Sequence, residues 1–198
     1  MKIVHENFLL KRGDFHESEI FKTILSEIRT AISHVSWPEN EQTFSIRPER
    51  MGNGVKPIKN KFIKHLINHG WKDEIRLSLV KEVGSGPIDA IKNTDAGIFA
   101  VEWETGNISS SHRALNKIAM GILQDNIIGG ILILPVWNLA QYLTDRIGNY
   151  EELKPYFPLY DFLKSEKGLL LVISVDYDDT SSSVPLIPKG KDGNSKGK

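Results

Sequence analysis

The chain has no cysteine. That excludes disulfides, thiolate-held zinc and a cysteine nucleophile. No apolar run reaches the roughly 18 residues that cross a bilayer. The first residues, Met1 to Arg12, lack the apolar stretch and small-residue cleavage site of a secretory signal, so a cytoplasmic setting is expected. Net charge is missing too: 25 basic residues balance 25 acidic ones. The total therefore does not point to nucleic acid. What is present is an ordinary globular mixture, 40% hydrophobic and 25% charged, which argues against a largely disordered chain. A chain of 198 residues is long enough to bury roughly 70% of its unfolded surface.

The neutral total conceals a pattern. Residues 47–76 hold eight basic side chains (Arg47, Arg50, Lys56, Lys59, Lys61, Lys64, Lys72, Arg76) against three acidic ones, or +5. Residues 77–104 hold two basic and five acidic, or −3. A solvated face is the ordinary reading of either block. Their adjacency suggests more: cations can hold a polyanion while carboxylates hold a metal beside it.

Periodicity outlines an α/β chain. Ile20, Phe21, Ile24, Leu25 and Ile28 recur at helical spacing within 17–33. Residues 38–56 read as a loop, and a helix follows Pro57 and stops at Gly70. Strands are expected at 75–83, 88–91, 98–104, 130–134 and 168–175, and helices from the serine run at 109–111 and over 137–147. Residues 1–178 are expected to form one domain, and 179–198, rich in Ser, Pro, Gly and Lys, a mobile tail.

Asp89 with Glu102-Trp103-Glu104 is the constellation that could do chemistry. Strand side chains alternate faces, so Ile98, Ala100, Glu102 and Glu104 share one face and Phe99, Val101 and Trp103 the other. If the strand bearing Asp89 pairs with this one, three carboxylates come together. Such a cluster repels itself unless a cation is present, and hard divalent ions such as Mg²⁺ prefer oxygen ligands. A metal so held can activate water against a phosphodiester. The plainer reading is the solvent face of an amphipathic edge strand.

The run Gly86-Pro87-Ile88-Asp89, then Val101-Glu102-Trp103-Glu104, then a helix and Gly130-Ile131-Leu132-Ile133-Leu134-Pro135, resembles the PD-(D/E)xK nuclease core. Over residues 52–136 it is most similar to the BamHI/BglII/BstYI group of type II restriction endonucleases; Phe62, Leu66 and Gly70-Trp71 add to the likeness. The resemblance implies a central mixed β-sheet flanked by helices. It makes Asp89 and Glu102 metal ligands, gives Glu104 a part in water activation, and suggests Glu82 as a further acidic metal contact. Most members of the wider superfamily carry lysine where Glu104 stands, whereas the BamHI type has glutamate. Some relatives have a lysine just behind the motif; here Thr105-Gly106-Asn107 follows. Mg²⁺, double-stranded DNA, a homodimer cutting a palindrome (GATC-centred, by the relatives) and a cognate DNA methyltransferase are implied with it. The alternatives are a non-catalytic DNA-binding protein on a decayed nuclease fold and a non-specific repair or phage nuclease.

For DNA contact the candidates are Arg47, Arg50, Lys56, Lys59 and Lys61 in the basic segment, and Ser110, Ser111, His112, Arg113 and Asn116 around the start of the helix after the motif. Helix capping and solvated surface are the competing readings, and for Lys117 solvated helix surface is the expectation. His65 and His69 stand at i, i+4, which is metal-ligand spacing. No third ligand lies near them in sequence and the His-Glu-x-x-His pattern is absent, so no metal role is assigned.

Overall fold

A computed structural model describes residues 1–75, 86–144 and 146–190. Among the described residues eight strands are formed: β1 (Lys2–Arg12), β2 (Ser45–Ile46), β3 (Lys72–Ile75), β4 (Ile88–Thr94), β5 (Gly97–Trp103), β6 (Gly129–Pro135), β7 (Gly168–Asp176) and β8 (Asp179–Thr180). The helices are α1 (Glu19–Ser33), α2 (Lys56–Asn68), α3 (Ile108–Leu123), α4 (Trp137–Ala140) and α5 (Tyr150–Leu153), the last running into a 3₁₀ helix, Lys154–Phe162. Six strands make one sheet in the order β1-β7-β6-β5-β4-β3. The central β5, β6 and β7 are parallel, and the outer pairings β1–β7, β4–β5 and β3–β4 are antiparallel.

Every residue of β6 and β7 is buried, as continuous Ile/Leu/Val runs require when both sheet faces are covered. The period of two sorts their side chains into two layers. Ile131, Ile133, Leu169, Leu171 and Ile173 join α1 and α2 on one side. Leu132, Leu134, Leu170 and Val172 join α3 on the other, through Leu115, Ile118 and Ile122. In β5, Phe99, Val101 and Trp103 enter the first layer and Ala100 the second. The alternation expected for this strand is therefore the one adopted. It is an interior strand, not an edge.

Several expectations are corrected. β1 was not anticipated: its exposure does not alternate and its pairing with β7 contains two register shifts, so no period shows in the sequence. The helix expected over 137–147 lasts only through Ala140. Beyond it, the Gln141 and Tyr142 carbonyls accept from Met51 and Asn53 N–H groups, each at 3.0 Å, and Thr144 N–H donates to the Asn53 carbonyl. The supposed tail is docked as far as residue 190. Trp37 Nε1 donates to the Pro185 carbonyl at 2.8 Å, Gly54 N–H donates to the Ile187 carbonyl at 2.8 Å, and the Ile187 side chain is buried. Residues 191–198 lie outside the described residues, as does nearly all of the strand expected over 75–83, next to which β3 forms at 72–75.

Candidate active site

Where the β4–β5 ladder ends at Ala90 opposite Val101, Asp89 continues it with its side chain: Oδ2 accepts the Trp103 N–H at 2.8 Å. That bond fixes the carboxylate at the end of β5, beside Glu102. Helix α2 packs over the same place. Its Ile58, Phe62 and Leu66 are buried, and the Phe62 ring lies 4.7 Å from that of Trp103. The turn bearing Ile58 thereby brings Lys59 to Asp89, with Nζ 2.6 Å from Oδ1. Gly70 ends the helix region at φ +81°, a backbone shape that glycine adopts without a Cβ penalty.

Glu102 points to the opposite layer, toward α3, and is only 5% exposed. Its carboxylate pairs with Lys117, whose ammonium also donates to the Pro87 carbonyl at 3.0 Å. Burial, and after it the negative charge of Asp89, push the Glu102 carboxyl up to about 7, although Lys117 and Lys59 pull the other way. The two carboxylates lie together at the strand end, each with one lysine as its counter-ion. Two hard oxygen donors in that condition fit a divalent cation of the Mg²⁺ kind.

Glu104 does not complete the expected triplet. Its Oε1 turns to the following loop and accepts the Thr105 and Gly106 N–H groups at 3.0 and 2.7 Å. Gly106 is needed there, since a Cβ would come within 3.0 Å of that oxygen. Among the described residues no three acidic or histidine side chains converge on one point. Glu104 nonetheless lines, with Asp89 and Glu102, a cavity of about 850 Å³ between α2, the sheet end and α3. Glu82 lies outside the described residues.

Helix α3 supplies the opposite wall. Asn107, not the serine run, is its cap: the Asn107 Oδ1 accepts the Ser110 N–H at 3.1 Å. Ser110, His112, Arg113 and Asn116 line the cavity. Arg113 donates to Ser110 Oγ, the His112 ring meets Tyr156 edge-on, and Asn116 Oδ1 accepts from the Tyr160 hydroxyl. Ser111 is a correction: it is fully buried and offers no surface to DNA. Lys117 is the residue that sequence reasoning undervalued. It was readable as the continuation of the Ser110–Arg113 face at i+7, but its burial was not.

The basic segment does not act as one patch. Lys59 belongs to the acidic pair. Lys61 is half-buried, donating to the Ser36 carbonyl at 2.7 Å, and burial lowers its pKa. Arg47 lies 3.8 Å from Glu49, and Lys56 is exposed at the start of α2. Arg50 lines a second cavity, of about 230 Å³, with Trp137 and Arg146. Neither Trp137 nor Arg146 carries a local sequence signal that singles it out.

A mixed sheet covered on both faces, with paired carboxylates at the end of a central strand, defines a restriction-endonuclease-like α/β protein. The structure of the restriction endonuclease BglII in complex with a DNA 16-mer superposes with a TM-score of 0.60, covering 90% of this chain and 79% of that one at 11% identity. In sequence, the chain is 50% identical over 170 residues to the type II restriction enzyme OkrAI of Oceanobacter kriegii, covering 86% of this chain and 88% of the relative. It is 38% identical over 188 residues to the type II restriction enzyme BamHI of Bacillus amyloliquefaciens, covering 91% and 86%. The profile of the restriction endonuclease BamHI family matches residues 1–194. The chain belongs to the BamHI family and is a type II restriction enzyme. No helix among the described residues is long and apolar enough to cross a membrane.

Proposed function

We propose that this enzyme hydrolyses both strands of double-stranded DNA at a short palindromic site, using Mg²⁺. The observation that carries the reading is the pairing of Asp89 with buried Glu102 at the head of a cavity that Arg113, Ser110 and Glu104 also line. Asp89 and Glu102 would hold the cation. When bound, it supplies activation of water and stabilisation of the charge that builds on the phosphate. Asp89 is oriented for this by the Trp103 N–H. Glu104 takes the proton of the attacking water at Oε2, the oxygen its loop leaves unengaged by the Thr105 and Gly106 N–H groups. The water oxygen bonds to phosphorus as the bond to the leaving deoxyribose oxygen breaks, and that oxygen takes a proton from solvent to leave as a hydroxyl. Arg113 grips phosphate with its planar fork. Lys59 and Lys117, ion-paired to the two carboxylates, offset their charge.

A palindrome is matched by a two-fold dimer. Apolar side chains left exposed on neighbouring elements support one: Met120 and Leu123 on α3, and Leu159 (64% exposed) and Phe162 (81%) on the 3₁₀ helix. Protection of the host's own sites calls for a DNA methyltransferase of the same specificity. Incubation of plasmid with the protein and Mg²⁺ tests the whole reading. Discrete fragments, lost in Glu102→Ala, are expected. Random ends would replace it by a non-specific nuclease, and uncut plasmid with salt-sensitive binding by a non-catalytic DNA-binding protein.

A further inference from the structure

Away from this cavity, three of the chain's six histidines meet where the C-terminal ends of α1 and α2 lie side by side. His65 and His69 come from α2 and its C-cap, and His34 caps the C-terminus of α1. The rings of His34 and His65 have centroids 4.5 Å apart, and so do those of His65 and His69. The third ligand that the sequence around the i, i+4 pair does not contain is thus supplied by another helix.

Backbone carbonyls set the tautomers of two of these rings. His34 Nδ1 lies 2.8 Å from the Thr30 carbonyl oxygen, and His69 Nδ1 2.8 Å from that of His65. A carbonyl oxygen can only accept, so both Nδ1 atoms carry hydrogen, and Nε2 of each neutral ring keeps its lone pair. In that tautomer Nε2 is the nitrogen open to a metal ion. The middle ring supplies an independent sign. His65 Nε2 is shut off from solvent and has no hydrogen-bond partner among the described residues, which is rare for a buried polar atom. None of the three forms an ion pair with a carboxylate among the described residues.

We propose that His34, His65 and His69 form a binding site for a nitrogen-preferring divalent metal, of the Zn²⁺ or Ni²⁺ class, that ties the end of α1 to the end of α2. The rings lie face to face and do not already converge on one point. Capture therefore turns them about their side-chain torsions until the nitrogens stand about 2.0–2.1 Å from the ion. His34 and His69 are exposed and able to turn. Imidazole nitrogen suits Zn²⁺ and Ni²⁺, whereas Mg²⁺ prefers oxygen, so this site and the carboxylate pair select different ions.

The test uses the whole protein, stripped of metal and then supplied with Zn²⁺. A rise in Tm of about 5–10 °C is expected at a hundredfold excess over Kd. His34→Gln and His69→Gln, both at exposed positions, should each remove most of it, while Glu102→Gln leaves it in place. With substoichiometric Ni²⁺, the ring C–H resonances of His34, His65 and His69 should broaden while those of His5 and His16 stay sharp. No Zn²⁺ shift, or one that survives both histidine substitutions, overturns the proposal. A shift that vanishes only in Glu102→Gln overturns it too, by placing the ion at the carboxylates, and leaves the nuclease reading standing.

Discussion

Two places in this molecule gather cation-binding groups, and they are built on opposite principles. At the end of β5 the donors are carboxylates whose repulsion is offset by Lys59 and Lys117. Between α1 and α2 the groups are three stacked imidazoles that form no ion pair with a carboxylate among the described residues, two of them hydrogen-bonded to backbone carbonyls. The first arrangement stores an electrostatic cost that an ion relieves, so metal there is coupled to stability and pH. The second stores little, so metal there adds stability without much lost in its absence. On the two proposals, oxygen donors at the first and nitrogen donors at the second favour different ions.

The sharpest way to probe the carboxylate side is at Glu104. Glu104→Ala removes both the proposed proton acceptor and the partner of two backbone N–H groups, and cleavage should fall about 10²- to 10⁴-fold. Glu104→Gln keeps an oxygen for Thr105 and Gly106. If single-turnover cleavage by the glutamine variant is as slow as by the alanine variant, proton transfer is the role; if glutamine restores the rate, holding the loop is.

The next effect is on the metal-free protein. Lys117→Met leaves Glu102 buried without its counter-ion, which costs about 3 kcal/mol at pH 8. Urea unfolding in the presence of chelator measures it. The pH dependence has a definite sign. The Glu102 carboxyl titrates at 4.5 when unperturbed and at about 7 in the folded chain. The unfolded state therefore loses its proton first, and folded stability falls as pH rises from 4.5 to about 7, then levels. Lys117→Met should prolong that fall to higher pH. Added Mg²⁺ should abolish it, because the ion favours the ionised carboxylate. A flat profile in chelator would show that Glu102 does not carry the burden assigned to it.

The smallest effect belongs to the histidines. Without metal, His69→Gln should change stability by less than about 0.5 kcal/mol, since the ring is exposed, stacks on His65 and is hydrogen-bonded to a carbonyl of its own helix. A larger loss would mean that the stack supports the fold by itself, and the contrast between the two sites would weaken.

How far the sequence could be read follows from where its signals are local. The alternation of Phe99, Val101 and Trp103 against Ala100 and Glu102 is a property of seven consecutive residues, and it placed Glu102 on the right face. The spacing of Phe62 and Leu66 likewise showed which side of α2 is buried. β1 left no such pattern because its pairing with β7 slips twice. The end of α4 was hidden because the carbonyls that a longer helix would use are taken by the 51–53 loop, nearly ninety residues earlier in the chain. Ser111 looked like its serine neighbours; only the helix rotation fixed by the Asn107 cap turns it inward.

The sequence alone therefore determined the α/β class, the order of the main elements and the two metal carboxylate candidates, because periodicity and residue chemistry are short-range properties. Which groups surround those carboxylates was decided by tertiary structure. Lys59 reaches Asp89 because α2 packs on Trp103, Lys117 reaches Glu102 because α3 lies across the same sheet face, and His34 meets His65 because two helix ends coincide. A charge count along the chain sees the lysines as a basic block or a solvated surface. Only burial, which removes the screening water, turns them into partners of particular acids.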